Sequence, residues 1–366
     1  MNRKILCVVG TRPEAIKMAP VVLALKKEPW AAVRVLATAQ HRHLLDQVMR
    51  LFNIEPDIDL NIMRPDQALP ALTASLILKL DSVLKEESPD MVLAQGDTTT
   101  VMAVALACFY RHIPFGHVEA GLRTGNLRNP FPEEANRVIA GRLACRHFAP
   151  TETARRNLLR EGVPDADIVV TGNTVIDALL ITASRELDIG IDLDASRRLV
   201  LVTAHRRENF GQPLRGIFRA LRTLAERNAD IQILYPVHPN PNVRDLAHEM
   251  LGGLSGIVLC DPLDYASFVA AMKRAHIILT DSGGVQEEAP ALGKPVLVLR
   301  EKTERPEAVD MGVVKLAGTS CERIVEEAQL LLDDPAAYRA MARGVSPYGD
   351  GKAAERIVST LREHFA

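Results

Sequence analysis

The sequence alternates short, continuously apolar runs with segments of helical length along most of the chain. The apolar runs do not alternate with polar residues, which is typical of strands that are buried on both faces. The predicted strands cover residues 5–9, 33–38, 91–95, 115–118, 168–171, 199–203, 231–236, 256–260, 275–280, 296–299 and 313–316. Such strands, separated by helices, predict parallel sheets covered on both faces, so the expected fold class is α/β.

The length of the chain indicates two domains. With 366 residues it is too long for one ordinary domain, and each half has enough strands for its own sheet. A helix predicted over residues 174–187 is followed by the polar stretch 188–198, which loses helical periodicity. We therefore expect two doubly wound, Rossmann-like domains facing a cleft, joined between residues 171 and 198.

Composition argues against several classes of partner. The net charge is −2 with 25% charged residues of both signs, which gives no electrostatic case for nucleic acid or a membrane surface. The five cysteines are scattered without a C-x-x-C pair, as expected of reduced thiols in a cytoplasmic protein. The apolar run at 5–9 is too short for a signal peptide or a membrane span, so we expect no export.

The residues that follow each strand carry the functional hypotheses, because ligands of open α/β sheets bind at the carboxyl ends of the strands. Ser282, Gly283 and Gly284 open a predicted helix whose free N–H groups and positive dipole end suit a phosphate. Glu288, one turn later, can accept hydrogen bonds from a ribose or sugar hydroxyl. The alternative is that Ser-Gly-Gly only caps a helix, and this turn by itself does not decide between the two.

Cations follow two of the predicted strands. Arg12 and Lys17 follow the first strand and can face a diphosphate, although a solvated position explains either cation taken singly. Arg305 adds a cation after strand 296–299.

Histidines follow two strands of the second half. His205 and Arg206 come after strand 199–203, and His238 comes after strand 231–236. A lone histidine is more often structural than catalytic. Two at successive strand ends beside an arginine suggest a wall that faces an anion.

Carboxylates crowd the strand ends of the first half. Asp97 and Glu119 follow successive strands, and Glu133 and Glu134 open a helix. Taken singly, Asp97 is explained as a helix N-cap, and the glutamates, Glu134 above all, as partners of the helix dipole. In combination they suggest an acid–base set at one cleft.

Two other chemistries lack a sequence signal. No G-x-G-x-x-G follows a strand, so a nicotinamide cofactor is not expected. The nearest approaches to metal-ligand spacing, H-V-E at 117–119 and H-R-H at 41–43, have no second cluster, so no metal site is expected either. We therefore expect a protein without a cofactor.

Seven motifs in order resemble the non-hydrolysing UDP-N-acetylglucosamine 2-epimerases of bacteria. They are GTRPEAIK (10–17), GDTTT (96–100), HVEAGLRT (117–124), PEEANR (132–137), HRRE (205–208), DSGGVQEEAP (281–290) and ERPE (304–307). The resemblance runs from the first strand to PYGDG at 347–351. It implies the two-domain fold of B-type glycosyltransferases, whose last helix returns to the first domain, giving domains 1–172 plus 352–366 and 173–351.

The resemblance also implies the reaction. The family interconverts UDP-N-acetylglucosamine and UDP-N-acetylmannosamine for cell-envelope polysaccharide. With neither an adjacent carbonyl nor a nicotinamide to activate C2, the expected route is elimination of UDP to a 2-acetamidoglucal, followed by re-addition. A homodimer is implied by resemblance alone.

Residue roles carry over by motif. The implied catalytic residues are Asp97, Glu119, Glu133 and His205. The implied nucleotide, phosphate and substrate contacts are Arg12, Lys17, Arg137, Ser282, Gly283, Gly284, Glu288 and Arg305, with Phe268 near the uracil. The family often has Gly where this chain has Ala204, a change that should leave His205 undisturbed.

Activation by the substrate is a further implication, and here the sequence departs from the family. The implied activator contacts are Gln40, His41, Arg206 and His238. Two further positions, a glutamine and an arginine in some members, are His43 and Asp66 here. We expect activation to be retained but weaker, because an aspartate replaces a cation near a diphosphate, unless Arg64 makes the contact instead.

Other functions remain open at this stage. A hydrolysing epimerase that releases free N-acetylmannosamine and a UDP-sugar glycosyltransferase share the fold, and a non-enzymatic UDP-sugar sensor belongs to another class. Three carboxylates in the first domain favour elimination over transfer, and a sensor has no need for so many converging acids.

Overall fold

The computed structural model of the protein describes residues 2–38, 42–62, 67–303 and 305–366, with side chains left out at 42–44. The chain forms two compact units. Unit 1 comprises Met1–Ile181 and Tyr348–Ala366, and unit 2 comprises Thr182–Pro347. We describe each unit by itself.

Unit 1 is built on a parallel sheet. Its strands are β1 (Arg3–Val9), β2 (Ala31–Ala37), β3 (Ile58–Asp59), β4 (Met91–Gln95), β5 (Phe115–Val118), β6 (Arg146–Ala149) and β7 (Ile168–Val170). Its order is β3-β2-β1-β4-β5-β6-β7, and every paired neighbour runs parallel. The helices between them are α1 (Arg12–Leu25), α2 (Arg42–Leu51), α3 (Leu69–Glu87), α4 (Thr99–Tyr110), α5 (Glu133–Leu143), α6 (Glu152–Arg160) and α7 (Thr174–Ala183). The order places the carboxyl ends of β1, β4 and β5 side by side.

Unit 2 repeats this plan. Its strands are β8 (Arg198–Thr203), β9 (Ile231–Pro236), β10 (Ile257–Cys260), β11 (Ile277–Thr280), β12 (Val296–Val298) and β13 (Val314–Leu316). They form a parallel sheet in the order β10-β9-β8-β11-β12-β13. Its helices are α8 (Gln212–Arg227), α9 (Pro241–Leu251), α10 (Tyr265–Arg274), α11 (Gly283–Glu288), α12 (Pro306–Asp310), α13 (Cys321–Asp333) and α14 (Pro335–Met341). The order makes the ends of β8 and β11 neighbours.

Helix α3 shows how the sequence covers the sheet of unit 1. Leu72, Leu76, Leu80 and Leu84 recur every four residues and are all buried, whereas Leu78 on the opposite face is 71% exposed. A spacing of four keeps the side chains on one face of a helix. Each buried leucine contributes about 2 kcal/mol relative to an exposed one.

The core of unit 2 reaches the strand end that carries His205. Phe218 on α8 packs against Tyr235 on β9 with ring centroids 5.7 Å apart. The Tyr235 hydroxyl donates to the carbonyl oxygen of Ala204 at 2.7 Å, in the turn that follows β8. This buried ring therefore fixes the backbone next to the histidine.

The α/β prediction is confirmed, and all eleven predicted strands occur with ends within two residues of the prediction. Strands β3 and β6 were missed. Strand β3 has only two residues, and β6 begins with Arg146 and His147, so neither forms an apolar run. The helix predicted to open at Glu133 and Glu134 does so and ends at Leu143, and the helix predicted over 174–187 ends at Ala183.

A last helix, α15 (Ala353–Phe365), returns the chain to unit 1. The buried carboxylate of Asp177 on α7 accepts from the N–H groups of Ala353 at 3.2 Å and Ala354 at 2.8 Å. Since α7 thereby caps α15, most of α7 belongs to unit 1. The proposed boundaries of 1–172 with 352–366 and 173–351 differ from the observed division by residues 173–181 and 348–351.

The state of the cysteines and the apolar length of the helices can be compared with what composition predicted. All five cysteines are free, and Cys7 and Cys108 are buried while the other three are half-buried. Burial raises the pKa of each of these two buried thiols to about 12. Among the described residues, no helix is both long and apolar enough to cross a bilayer.

We predict that Asp177→Ala lowers the free energy of unfolding by about 1–3 kcal/mol, because two N–H groups at the start of α15 lose their buried acceptor. Urea unfolding followed by circular dichroism measures the change. The matched control is Glu355→Ala, an exposed acid in the first turn of the same helix, which should change stability by less than about 0.5 kcal/mol. Equal effects of the two substitutions would contradict the capping role.

Candidate active site

Polar side chains of unit 1 gather at the neighbouring carboxyl ends of β1, β4 and β5. Arg12 lies in the first turn of α1 after β1, Asp97 follows β4, and Glu119 follows β5. The sequence hypothesis placed its acids at adjacent strand ends, and the strand order brings Asp97 and Glu119 to such positions.

Glu119 is held by three donors. Its carboxylate accepts from Lys17 Nζ at 2.6 and 2.8 Å, from Asn173 Nδ2 at 3.2 Å, and from Gln95 Nε2. The residue is 8% exposed and has a φ of 63°, in the left-handed region that few non-glycine residues adopt. A conformation of this kind persists where surrounding contacts enforce it, and it occurs often at functional sites.

Lys17 therefore lies against a carboxylate, whereas we had expected its ammonium group to face a phosphate. Arg12 differs from it. The Arg12 side chain is half-buried and makes no hydrogen bond or ion pair with any described residue. Of the two cations, Arg12 is the one whose guanidinium remains available to an anionic ligand.

Asp97 has a strongly shifted pKa. Burial, followed by the negative charge of Glu119, raises the pKa of Asp97 from 3.8 to about 6, although Arg137 and Lys17 oppose the shift. The Arg137 guanidinium lies 3.3 Å from Asp97 Oδ2. A carboxyl group that titrates near neutral pH suits proton transfer in either direction.

Glu134 and Glu133 have different environments although they are adjacent on α5. Glu134 is buried and accepts from the N–H groups of Thr124 at 3.0 Å and Gly125 at 2.9 Å, and from Arg137 Nε at 2.7 Å. Burial acts to raise the pKa of Glu134, but these hydrogen bonds outweigh it and the pKa is lowered. Glu134 thus fixes the loop after β5, while Glu133 is half-buried and adds to the negative charge near Asp97.

The sequence hypotheses missed Glu14, which joins two strand ends. This buried carboxylate accepts from Gly10 N at 3.0 Å, Thr11 N at 2.5 Å and Thr98 Oγ1 at 2.7 Å. It ties the turn after β1 to the turn after β4. The pattern Thr11-x-x-Glu14 is a capping box, so a signal for it was present in the sequence.

In unit 2 a buried aspartate organises the turn after β8. Asp281 Oδ2 accepts from His205 N and Arg206 N, both at 2.8 Å, and from Asn209 Nδ2 at 3.0 Å. The His205 ring stacks on that of His238 with centroids 5.4 Å apart. Burial, together with the charges of His238 and Arg206, lowers the pKa of His205 against the opposing effect of Asp281.

The turn after β11 opens α11 at Gly283. The Ser282 side chain does not cap this helix, in contrast to Thr11 and Thr98 at the starts of α1 and α4. A Cβ built on Gly283 or Gly284 would come no closer than 3.6 or 3.9 Å to other atoms, and neither residue has a positive φ. Since neither packing nor backbone conformation requires these glycines, the interpretation of the turn as a simple cap gains no support.

Two of the other predicted contacts of unit 2, Glu288 and Arg305, lie on or against α11, the helix that this turn opens. Tyr265 donates its hydroxyl to Glu288 Oε1 at 2.9 Å, and Phe268 is half-buried on the same helix, α10. Arg305 pairs through Nε with the buried carboxylate of Glu287, whereas we had expected it to face a phosphate.

Some of the predicted residues lie outside the described part of the chain. These are Gln40, His41, Arg64 and Asp66, and the side chain of His43. In the described ranges, no three His, Cys, Asp or Glu side chains are arranged as a metal site.

Comparison with known proteins bears on the identity of the chain. The family model for UDP-N-acetylglucosamine 2-epimerase matches residues 23–362. The UDP-N-acetylglucosamine 2-epimerase of Escherichia coli (strain K12) is 54% identical over 371 residues, with 99% of each chain covered. The chain belongs to the UDP-N-acetylglucosamine 2-epimerase family. The resemblance found in the motifs is thus confirmed, and with it the activity that the family's name states.

Solved structures agree with this assignment. The UDP-GlcNAc 2-epimerase of Neisseria meningitidis, crystallised with UDP-GlcNAc bound, superposes with a TM-score of 0.89 at 48% identity, covering 98% of this chain and 100% of that one. A glycosyltransferase of kitacinnamycin shares the fold at 13% identity, with a TM-score of 0.67 and coverage of 99% and 100%. The epimerase family and this glycosyltransferase therefore have the same two-domain architecture, as the sequence predicted.

We predict that Asp97→Asn stabilises the fold at pH 7.5 by about 1–2 kcal/mol, which is less than the full pKa shift implies because the side chain is 32% exposed. Below pH 3.8 both states of the wild type bind the proton. Between pH 3.8 and about 6 the unfolded state releases its proton while the folded state keeps it, so the wild type loses stability across this range and loses no more above it. Asparagine does not titrate, so the advantage of the variant should disappear towards pH 4.

Urea unfolding at pH 4 and pH 7.5 measures this difference. The control is Asp245→Asn on α9, whose carboxylate is 66% exposed and should have little effect at either pH. A stabilisation by Asp97→Asn that does not depend on pH would contradict the shifted pKa.

Proposed function

We propose that the chain is a non-hydrolysing epimerase that interconverts UDP-N-acetylglucosamine and UDP-N-acetylmannosamine without a cofactor. The observation that carries the proposal is the pair of unlike carboxylates at adjacent strand ends. Asp97 titrates near neutral pH, and Glu119 is surrounded by donors. A reaction that removes a proton from one face of C2 and returns one to the other needs two such groups.

The reaction has two balanced steps. In the first, a carboxylate takes the proton from C2, the electrons of that bond form the C1–C2 double bond, and the C1–O bond breaks with both electrons leaving on UDP. In the second, an acid delivers a proton to the opposite face of C2 while UDP attacks C1. We assign these proton transfers to Asp97, Glu119 and Glu133.

The departing diphosphate needs positive partners. In unit 2, His205 and the N–H groups at Ser282–Gly284 are suited to this. In unit 1, we assign Arg12, with no partner among the described residues, to an anionic group of the ligand. Arg137 beside Asp97 can serve the substrate as well as its carboxylate. We assign Glu288 to the ribose and Phe268 to the uracil, and the Neisseria meningitidis relative crystallised with UDP-GlcNAc supports this class of ligand.

Lys17 and Arg305 take supporting roles in this proposal. Lys17 is ion-paired with Glu119, and Arg305 with Glu287. Lys17 therefore lies beside a proposed catalytic residue of unit 1, and Arg305 lies beside the residue that precedes Glu288 in unit 2. We infer that Lys17 orients Glu119 for proton transfer and that Arg305 reaches UDP only when it exchanges its partner.

Further properties follow from family membership and remain part of the proposal. They are a homodimer, a cytoplasmic location, a supply of UDP-N-acetylmannosamine for cell-envelope polysaccharide, and activation by UDP-N-acetylglucosamine. Arg206 and His238 are the described residues assigned to that activation. The hydrolysing epimerase and the glycosyltransferase are the competing outcomes.

We predict that purified protein in D2O converts UDP-N-acetylglucosamine to UDP-N-acetylmannosamine that carries deuterium at C2, because the returned proton is not the one removed. Proton NMR follows both sugars. Glu119→Gln should reduce the rate by about two to four orders of magnitude. The matched control is Glu161→Gln, an exposed acid that pairs with Arg123 and should retain most of the activity.

The competing functions give other products in the same experiment. Free N-acetylmannosamine would identify a hydrolysing epimerase. UDP-N-acetylglucosamine left unchanged until an acceptor is added would identify a glycosyltransferase.

We predict that Gly284→Ala weakens UDP binding at least 10-fold and leaves the melting temperature nearly unchanged. The new Cβ would meet only Glu288 Oε2 at 3.9 Å and Ser282 Oγ at 4.0 Å, so the fold accepts it while an approaching phosphate does not. The control is Gly216→Ala on α8, whose Cβ would lie 2.5 Å from Thr319 O and should destabilise the fold without a direct effect on UDP. Calorimetric titration measures the UDP affinity of both variants, and thermal unfolding measures their melting temperatures. Unchanged affinity in Gly284→Ala would refute the proposal that this turn binds a phosphate.

A further inference from the structure

The two carboxylate oxygens of Asp281 have different surroundings. Oδ2 accepts three N–H groups, from His205 N, Arg206 N and Asn209 Nδ2. Oδ1 is buried and makes no hydrogen bond, and it lies 3.3 Å from His205 Nδ1. The side chain is fully buried, and a buried carboxylate oxygen without a donor is costly.

His205 Nδ1 is placed to supply the missing donor to Asp281 Oδ1. Because Oδ2 is saturated by its three donors, the orientation of the Asp281 carboxylate is fixed. His205 is anchored at its own N–H by the same carboxylate, and its ring is stacked within 8° of parallel on that of His238. A small rotation of the ring would turn the 3.3 Å approach of Nδ1 to Oδ1 into a hydrogen bond.

We propose that Asp281 is a positioning residue that holds His205 as the Nδ1–H tautomer, with Nε2 directed to the ligand. This inference rests on the proposed function, in which His205 serves the departing diphosphate. Asp281 does not itself meet the substrate. It acts only through the imidazole.

The consequence for the reaction is electrostatic. His205 takes a second proton from solvent at Nε2 when the anionic diphosphate binds. When UDP leaves, negative charge grows on its phosphate oxygens, and the resulting imidazolium stabilises that charge by donating from Nε2. The buried Asp281 carboxylate stabilises the positive ring at Nδ1. This is the logic of an aspartate that orients a histidine in hydrolases, for which loss of the correct tautomer costs roughly 10⁴-fold in kcat.

The substitution Asp281→Asn tests this arrangement sharply. The three N–H donors still require an oxygen, so the asparagine must turn its NH2 group towards His205 Nδ1. That nitrogen then has to accept, and the proton moves to Nε2. We expect kcat for epimerisation to fall about 10²- to 10⁴-fold, whereas KM changes less than about 3-fold.

A double-mutant cycle separates positioning from a general structural defect. Asp281→Asn is combined with His205→Asn, and kcat is measured for both single variants and the double variant. If Asp281 acts through the imidazole, the double variant is no slower than His205→Asn alone. Multiplied losses would overturn the proposal.

A spectroscopic measurement is independent of activity. In protein labelled with ¹⁵N-histidine, long-range proton–nitrogen spectra distinguish the two tautomers, and the His205→Asn variant identifies the His205 signals among the ten histidines. We expect Nδ1–H in the wild type and Nε2–H in Asp281→Asn. The wild-type spectrum alone decides the matter if the variant does not fold, because an Nε2–H tautomer there would overturn the proposal.

The two readouts also distinguish failure of the proposal from failure of the proposed function. Protein that fails to epimerise UDP-N-acetylglucosamine but has the Nδ1–H tautomer refutes the proposed function and leaves the Asp281–His205 pair intact. Active protein with the opposite tautomer refutes the role of Asp281 alone.

Discussion

Buried carboxylates that accept from backbone N–H groups hold the strand-end turns of both units in place. Glu14, Glu134 and Asp281 each accept at least two N–H groups from a turn that follows a strand. A buried negative charge without donors is costly, and a turn whose N–H groups lack acceptors is costly as well. Each carboxylate meets both requirements together, so a loop that would otherwise move is tied to the sheet. Two of the proposed catalytic residues, Glu119 and His205, follow strands whose turns are held in this way.

Much of the fold could be predicted from the sequence, and so could the strand ends at which the candidate site residues lie. Continuous apolar runs identify strands that are buried on both faces. Because ligands bind at the carboxyl ends of parallel strands, the polar residues that follow each strand become the candidates for the site. Asp97 and Glu119 were found in this way. Strand β6 was not, because its Arg146 and His147 interrupt the apolar pattern that identifies a strand.

The partners of individual side chains could not be predicted, because they come from distant parts of the chain. Lys17 meets Glu119 across 102 positions, and Asp281 receives its donors from residues 72 to 76 positions earlier. Sequence spacing predicts contacts only over one or two turns of a helix. It can therefore suggest that a charged side chain faces solvent, caps a helix or binds a ligand, but it cannot identify a partner from a distant part of the chain. For the same reason the sequence identified the DSGG motif by its serine and glycines and left the role of its aspartate unassigned.

The return of α15 to unit 1 has a consequence for how the protein is made. Residues that complete this domain leave the ribosome only after unit 2, since Asp177 receives its N–H donors from Ala353 and Ala354. Domains generally fold as units in the order in which they are synthesised. Here the domain that is begun first is completed only after unit 2 has emerged, and a nascent chain paused before residue 353 presents an uncovered surface where α15 will dock.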